Sequence, residues 1–373
     1  MRVAVVATLV TPIVEPLAGG SQVFIADLAR GLTARGHDVD VYAASGSSID
    51  GASVIDTGIE HEKLHSTRFL ADEGDGAAGD ASVTERAFER VYSLIDAHDY
   101  DVVHNHAFDA AAIRLASSLN AQVVHTLHLP PARAVAEAIY SAGSTDRPPI
   151  IVAVSATHAT SWSRFATVDA VIRNGVPVER MPWSETPGTG VIFAGRFSPE
   201  KGVAPAIEIA RRAGMEIDIY GSPYDHDYFR NEVTPLASLT DTRLHPPLPR
   251  NTLWERMEAA LAVLCPSLWD EPFSLVAAES QATGTPVVAF DSGALPEVIV
   301  DGETGFCVPQ GDIDAAARGL ANVHSLDRRR CREHAQQSLD LELTIDAYEK
   351  LYRGHLAPSR VCENGSGMQK RAR

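Results

Sequence analysis

The sequence predicts an α/β protein of two domains, each a parallel sheet covered by helices, and three observations carry that prediction. Short apolar runs bounded by turn residues recur, among them Ile150-Ile151-Val152-Ala153-Val154 and Val287-Val288-Ala289-Phe290; strands buried on both faces read this way. Segments with helical spacing of apolar residues lie between them. A Pro-, Gly- and Thr-rich stretch, residues 182–190, divides the 373 residues into halves of ordinary domain size. Domains are expected at 1–183 and 184–340, then a helix over 341–356 and a disordered tail over 357–373.

The formal net charge of −17 makes the chain a poor partner for nucleic acid or an anionic membrane surface. Apolar residues make up 45%, enough for globular cores, yet no apolar run reaches the roughly 18–20 residues of a membrane span. The N-terminal run Val3-Ala4-Val5-Val6-Ala7 breaks at Thr11-Pro12 with no small-residue cleavage pattern after it, so it reads as a buried strand rather than an export signal. Cys265, Cys307, Cys331 and Cys362 are scattered without metal or disulfide spacing, as reduced thiols in a cytoplasm would be.

After the first strand, Gly19-Gly20 leads into an amphipathic helix over 23–35, stopped by Gly36, and a second strand over 39–43. A Gly-Gly turn lets backbone approach a phosphate, and equally serves as simple turn chemistry. Residues 49–80 are Gly- and Asp-rich and read as a loop, with a helix over 83–98 beyond it. Strands over 101–106 and 122–128 end in polar residues, including His104, His106 and His128; the carboxyl ends of strands are where open α/β sheets hold ligands. His104 and His106 have the chemistry of metal ligands, but no third ligand stands at a sensible spacing, and packing at the strand ends is the competing reading. A helix over 133–143 and strands over 150–155 and 168–172 complete the first half.

The second half opens with a strand over 191–194 that delivers Gly195-Arg196 and, five residues later, Lys201-Gly202. Two cations on one loop are ordinarily solvated surface. Strands follow over 216–220, 242–245 and 260–264. Pro272 fits the first position of a helix running to about Thr283, with Gly284 as its stop. The amides of Phe273, Ser274 and Leu275 are then free for an anion such as phosphate. Glu271 and Glu279 frame that helix start, roughly 12 Å apart along a helix axis. This spacing suits a ligand with phosphate in the middle and hydroxyl-bearing rings at both ends. Helices over 312–323, 327–339 and 342–356 complete the chain.

The series Pro266-Ser267, Trp269, Glu271-Pro272-Phe273, Glu279 and Gly284-Thr285-Pro286-Val287-Val288-Ala289 closely resembles the signature of the group-one retaining glycosyltransferases with the GT-B fold. The resemblance implies two Rossmann-like domains facing a cleft, with the last helix crossing back to the first domain. It implies that Glu271 meets the transferred sugar or acceptor region, that Glu279 holds the ribose hydroxyls, and that the backbone of Phe273, Ser274 and Leu275 meets the donor. Ser274 stands where the family often has Gly. Gly195, Arg196 and Lys201 resemble the family's diphosphate clamp. Gly19 and Gly20 resemble its Gly-Gly loop near the donor phosphates and acceptor, with Ser21-Gln22 in place of the usual acid. His128 falls where the family has a histidine near the sugar's anomeric centre, and residues 245–249 where it seats the base.

The implied function is retaining transfer of a hexose-type sugar from a nucleoside-diphosphate sugar, UDP first by base rate, to a soluble small-molecule acceptor. His128, Arg196, Lys201 and Glu271 would carry it, without cofactor or metal, and with donor and acceptor as the partners. The Asp-x-Asp tripeptides of this acidic chain read as chance. The same fold hosts epimerases and phosphorylases, and a protein that binds nucleotide sugars without turnover would look alike.

Overall fold

The computed structural model describes residues 1–17, 19–61, 64 and 81–355. The first half alternates β1 (Arg2–Val6), α1 (Gly20–Ala34), β2 (Asp38–Ala43), β3 (Ser53–Asp56), α2 (Ala81–Asp96), β4 (Val102–Asn105), α3 (Ala110–Ala116), β5 (Gln122–Thr126), α4 (Arg133–Ala142), β6 (Ile150–Ala153), α5 (Ala156–Trp162) and β7 (Ala170–Val171). Its seven strands form one parallel sheet in the order β3-β2-β1-β4-β5-β6-β7.

The second half runs β8 (Val191–Ala194), α6 (Val203–Ala213), β9 (Ile217–Tyr220), α7 (His226–Tyr228), α8 (Thr234–Ser238), β10 (Thr242–His245), α9 (Arg250–Glu258), β11 (Ala262–Cys265), α10 (Leu275–Ala282), β12 (Val287–Phe290), α11 (Leu295–Val298), β13 (Gly305–Val308), α12 (Ile313–Asn322), α13 (Arg328–Ser338) and α14 (Leu341–His355). Its six strands are also parallel, in the order β10-β9-β8-β11-β12-β13. Each sheet reverses its winding once, between β1 and β4 and between β8 and β11. At such a switch point the loops leaving two adjacent strands part and open a crevice.

Both cores follow from the sequence. Val3, Val5, Val102, Val124 and Val152 are buried at the centre of the first sheet, covered by Phe24, Ile25, Leu28 and Leu32 of α1. Phe24 is fully buried, and cutting such a side chain to Ala costs about 3–5 kcal/mol. In the second sheet Val191, Phe193, Ile217, Ile219, Leu264 and Val288 pack under Ile207 of α6 and Leu320 of α12.

The terminal helix crosses back onto the first sheet. Tyr348 donates to or accepts from Thr126 Oγ1 at 2.9 Å, and Tyr352 meets His104 Nδ1 at 2.7 Å, both hydrogen bonds buried. Nearer the surface Arg35, the C-cap of α1, pairs with Glu342 and Asp346. Residues 182–190 are pinned where they pass α9: Thr189 N donates to Ala259 O at 3.1 Å, and a Cβ on Gly188 would lie 2.0 Å from that oxygen.

Two elements depart from the sequence reading. The stretch read as a loop over 49–80 contains the edge strand β3, whose Ser53 Oγ donates to Asp40 Oδ1 at 2.7 Å; four residues, half-exposed, leave too short a pattern to read. Residues 65–80 and the tail over 357–373 lie outside the described residues. The strand expected over 168–172 shrinks to Ala170–Val171 because the Asp169 carboxylate takes the Ile151 amide at 2.7 Å, replacing a ladder bond.

Candidate active site

The candidate residues lie on segments that leave the carboxyl ends of strands, or, for Glu279, on the helix that such a segment opens. Gly19 and Gly20 follow β1, His106 follows β4 and His128 follows β5; Gly195, Arg196 and Lys201 follow β8, and residues 266–274 follow β11. The two switch points therefore bring four of these loops together. Gly20 and Leu275 mark the meeting of the domains: a Cβ on Gly20 would lie 3.6 Å from Leu275 Cδ1. The N-termini of α1 and α10 thus come together at one place, and neither helix has a side-chain cap.

Lys201 ends a single turn of 3-10 helix, Pro199–Lys201, that closes on Gly202 at φ +74. A Cβ on Gly202 would lie 1.9 Å from the Pro266 carbonyl oxygen, and Leu268 N donates to Glu200 O at 2.8 Å. The β8 loop is thereby locked against the β11 loop. Lys201 Nζ then reaches Glu271 Oε1 at 2.7 Å, and Ser267 Oγ donates to the same oxygen at 2.7 Å. Lys201 Nζ also lies 4.8 Å from the centre of the Trp269 ring. Burial pushes the Glu271 carboxyl up, but the charge and hydrogen bond of Lys201, with Ser267, outweigh it and hold the group below the usual carboxylate range. Glu271 is therefore an anion at neutral pH, though only 7% exposed.

The helix after Glu271 starts later than the sequence indicates. Pro272 lies in a bend and α10 begins at Leu275, with Ser274 as N-cap at φ 77, ψ 81. The reason is that the Glu271 carbonyl accepts from Ala294 N at 2.8 Å, and Gly293 packs so closely that a Cβ there would lie 2.3 Å from Glu271 N and O. Glu271 thus cannot accept from a helical amide, and the axis-rise estimate of its separation from Glu279 does not apply. The first intrahelical bond is Ala278 N to Ser274 O at 3.2 Å. The amides left unpaired by the helix are accordingly those of Ser274, Leu275, Val276 and Ala277, and the Phe273 side chain just before them packs into the core, 4% exposed. Ser274 is the one described non-Gly residue at positive φ. It occupies a backbone conformation that costs about 1–3 kcal/mol outside Gly and collects at functional sites.

Arg196 leaves Gly195 with its guanidinium carbon 4.6 Å over the Tyr224 ring and Nη2 3.7 Å from Glu200. It shares the loop of Lys201 without touching Glu271. Glu279, 4% exposed, accepts from Arg250 Nε at 2.6 Å. Arg250, at the start of α9, was missed in the sequence, because nothing in Pro249-Arg250-Asn251-Thr252 separates it from a surface arginine. His245, at the end of β10, stacks on Tyr220 at 4.7 Å and meets Asp218 Oδ1 at 2.6 Å.

In the first domain His106 Nδ1 and His128 Nε2 share a hydrogen bond at 2.9 Å, and the His104 and His106 rings lie 3.9 Å apart. His104 uses both nitrogens, on Thr126 and Tyr352. Those bonds make it a packing residue, and no group of three or more metal-ligating side chains gathers among the described residues. Burial, reinforced by His125 and His158, pushes His128 down to about 3, so its ring is neutral at pH 7.

Residues 184–338 match the family described as Glycosyl transferases group 1, and residues 18–180 match Glycosyltransferase Family 4. The chain belongs to the group 1 glycosyltransferases. A D-inositol 3-phosphate glycosyltransferase of Thermomonospora curvata is 26% identical to this group 1 chain over 414 aligned positions, 95% of each protein. In structure it is similar to the sucrose-phosphate synthase of Thermosynechococcus elongatus, at TM-score 0.75 and 18% identity over 95% of this chain and 98% of that one. HepE of Anabaena, solved with UDP and glucose, gives TM-score 0.70 and 17% identity over 94% and 99%. These likenesses establish the GT-B architecture of the group 1 chain: two parallel-sheet Rossmann-like domains and a returning helix. No helix among the described residues is long and apolar enough to cross a membrane.

Proposed function

We propose that this glycosyltransferase moves a hexose-type sugar from a nucleoside-diphosphate sugar to a soluble small-molecule acceptor in the cytoplasm, with retention at the anomeric carbon. The observation that carries the proposal is the Lys201–Glu271 pair at the mouth of an uncapped helix, 2.7 Å between charged atoms. Departure of a diphosphate breaks the bond from the anomeric carbon to oxygen and leaves the electron pair on the phosphate. Lys201, Arg196 and the amides opening α10 supply fixed positive charge where that negative charge grows. Gly195, Gly19 and Gly20 admit the phosphates close to backbone.

The acceptor hydroxyl attacks the same face that the diphosphate leaves, and its proton passes to a phosphate oxygen. No enzyme base is required, and Glu271, held ionised by Lys201, orients the sugar rather than bonding to it. Neutral His128 hydrogen-bonds a sugar hydroxyl and Glu279 the ribose. Charge supplied by side chains and helix makes turnover independent of a divalent cation. UDP, which HepE holds, is the first nucleotide to test.

The test is transfer from UDP-, GDP-, ADP- and TDP-hexoses to a panel of sugar phosphates and polyols, in EDTA, with product configuration read by proton coupling constants. An α-linked donor giving an α-linked product supports the proposal. An inverted product, or conversion of donor without any acceptor, refutes it.

A further inference from the structure

Arg250 is 8% exposed and lies between the two domains. Its Nε donates to Glu279 Oε1 of α10 at 2.6 Å, and its Nη1 donates to Asp27 Oδ2 of α1. The Trp254 ring lies 4.7 Å from its guanidinium carbon. Nη2 is buried and has no hydrogen-bond partner. Asp27 is 1% exposed and is also met by Arg30 Nη1 at 3.3 Å. One planar guanidinium therefore joins a buried carboxylate of the first domain to a buried carboxylate of the second.

Removing each such ion from water costs several kcal/mol, and apolar side chains of similar volume join surfaces without that cost. Simple adhesion does not account for the bridge. Its placement does. Asp27 lies seven residues beyond Gly20 on α1, and Glu279 lies four beyond Leu275 on α10; both spacings keep the pair on one helical face. The two helices thus touch at their N-termini, through Gly20 and Leu275, and again one to two turns deeper, through Asp27, Arg250 and Glu279.

The geometry points to Arg250 as a positioning residue of the donor site, which aligns Glu279 for the ribose and makes that alignment depend on Asp27 in the opposite domain. The inference rests on the assignment of Glu279 to the ribose. Arg250 takes Oε1 of Glu279 and leaves Oε2 to receive a hydroxyl, while Nη2 on the same guanidinium is the donor still unused. Nucleotide affinity then responds to a side chain of the first domain that does not touch the nucleotide. Docking of the two domains and filling of the ribose site become one linked equilibrium.

Calorimetric titration of wild type, Asp27→Asn and Arg250→Lys with UDP and with 2′,3′-dideoxy-UDP tests this, with circular dichroism and thermal midpoints reporting the fold. Both variants are expected to lose about tenfold in affinity for UDP, the size of one charged hydrogen bond, and to bind the dideoxy nucleotide as wild type does. Asp27→Asn keeps the shape of the side chain and leaves Arg250 and Glu279 themselves unsubstituted, so it decides the matter alone where Arg250→Lys does not fold. Wild-type affinity for UDP in Asp27→Asn, or an equal loss for both nucleotides, overturns the inference and leaves the donor site standing. A wild-type protein that binds neither nucleotide overturns both.

Discussion

Lys201 Nζ stands 2.7 Å from Glu271 Oε1, although 70 residues separate them in the chain. Two glycines create that contact by close approach: Gly202 against the Pro266 carbonyl and Gly293 against the backbone of Glu271. A methyl group at either would push the loops apart. The ion pair is thus a product of the second sheet's switch point, where β8 and β11 lie side by side.

Lys201→Ala is expected to reduce donor turnover by roughly 10²–10³, the usual cost of one electrophilic contact to a developing anion. It should also destabilise the fold by on the order of 2 kcal/mol, because Glu271 is left buried without its cation. Adding Glu271→Gln removes the stranded charge, so the double variant should regain stability in urea titration while turnover stays low. Recovery of turnover in the double variant would contradict the assignment.

Ser274→Gly should stabilise the protein by about 0.5 kcal/mol, the relief of positive φ less the extra freedom Gly gives the unfolded chain. Ser274→Val should cost about 1–2 kcal/mol, since a β-branched side chain strongly disfavours that backbone. Thermal midpoints of the two variants, moving in opposite directions, check this.

Among the buried histidines, His104 and His106 are pushed far below the ordinary value by burial, and His125 and His128 down to about 3 by the same cause. A group whose folded pKa is lowered stabilises the native state fully above its unfolded pKa, near 6.5 for histidine, and loses that contribution as pH falls. Unfolding free energy should therefore decline as pH falls below about 6.5. Donor turnover at saturation should show no histidine limb between pH 6 and 8, and a limb that disappears in His128→Asn would show the ring to be charged in action.

Glu297 of α11 caps the other domain: its carboxylate accepts from Thr157 N at 2.7 Å and Ala156 N at 3.1 Å, at the start of α5. Burial pushes its pKa up, but these amides and Arg173 outweigh it and hold it below the usual range. The stabilisation is complete above the ordinary glutamate pKa and is lost as pH falls through the lowered one. Glu297→Gln should cost about 1 kcal/mol at pH 7 and flatten the acid dependence of stability below pH 4.5, measured by urea titration.

The fold was legible because parallel strands buried on both faces leave continuous apolar runs, and β10 and β12 carry the bounds read from the sequence. The proximity of the Lys201 loop to Glu271 was legible from the motif. The start of α10 was not, because the Gly293 and Ala294 contacts that hold Glu271 out of the helix come from beyond the next strand. Arg250 and Asp27 carried no signal either. Each is an ordinary charged residue at a helical position, and only the docking of α1 beside α10 buries them together.

The central claim, a nucleoside diphosphate held by Lys201, Glu271, Glu279 and the opening of α10, is tested most directly by thermal unfolding with UDP, GDP, ADP and TDP in turn, in EDTA, for wild type and Lys201→Ala. A ligand that binds only the folded state at a hundred times its Kd adds about 2.7 kcal/mol. One diphosphate should raise the wild-type midpoint by several degrees and raise that of Lys201→Ala much less. No rise with any diphosphate, or an equal rise in the variant, would contradict the account.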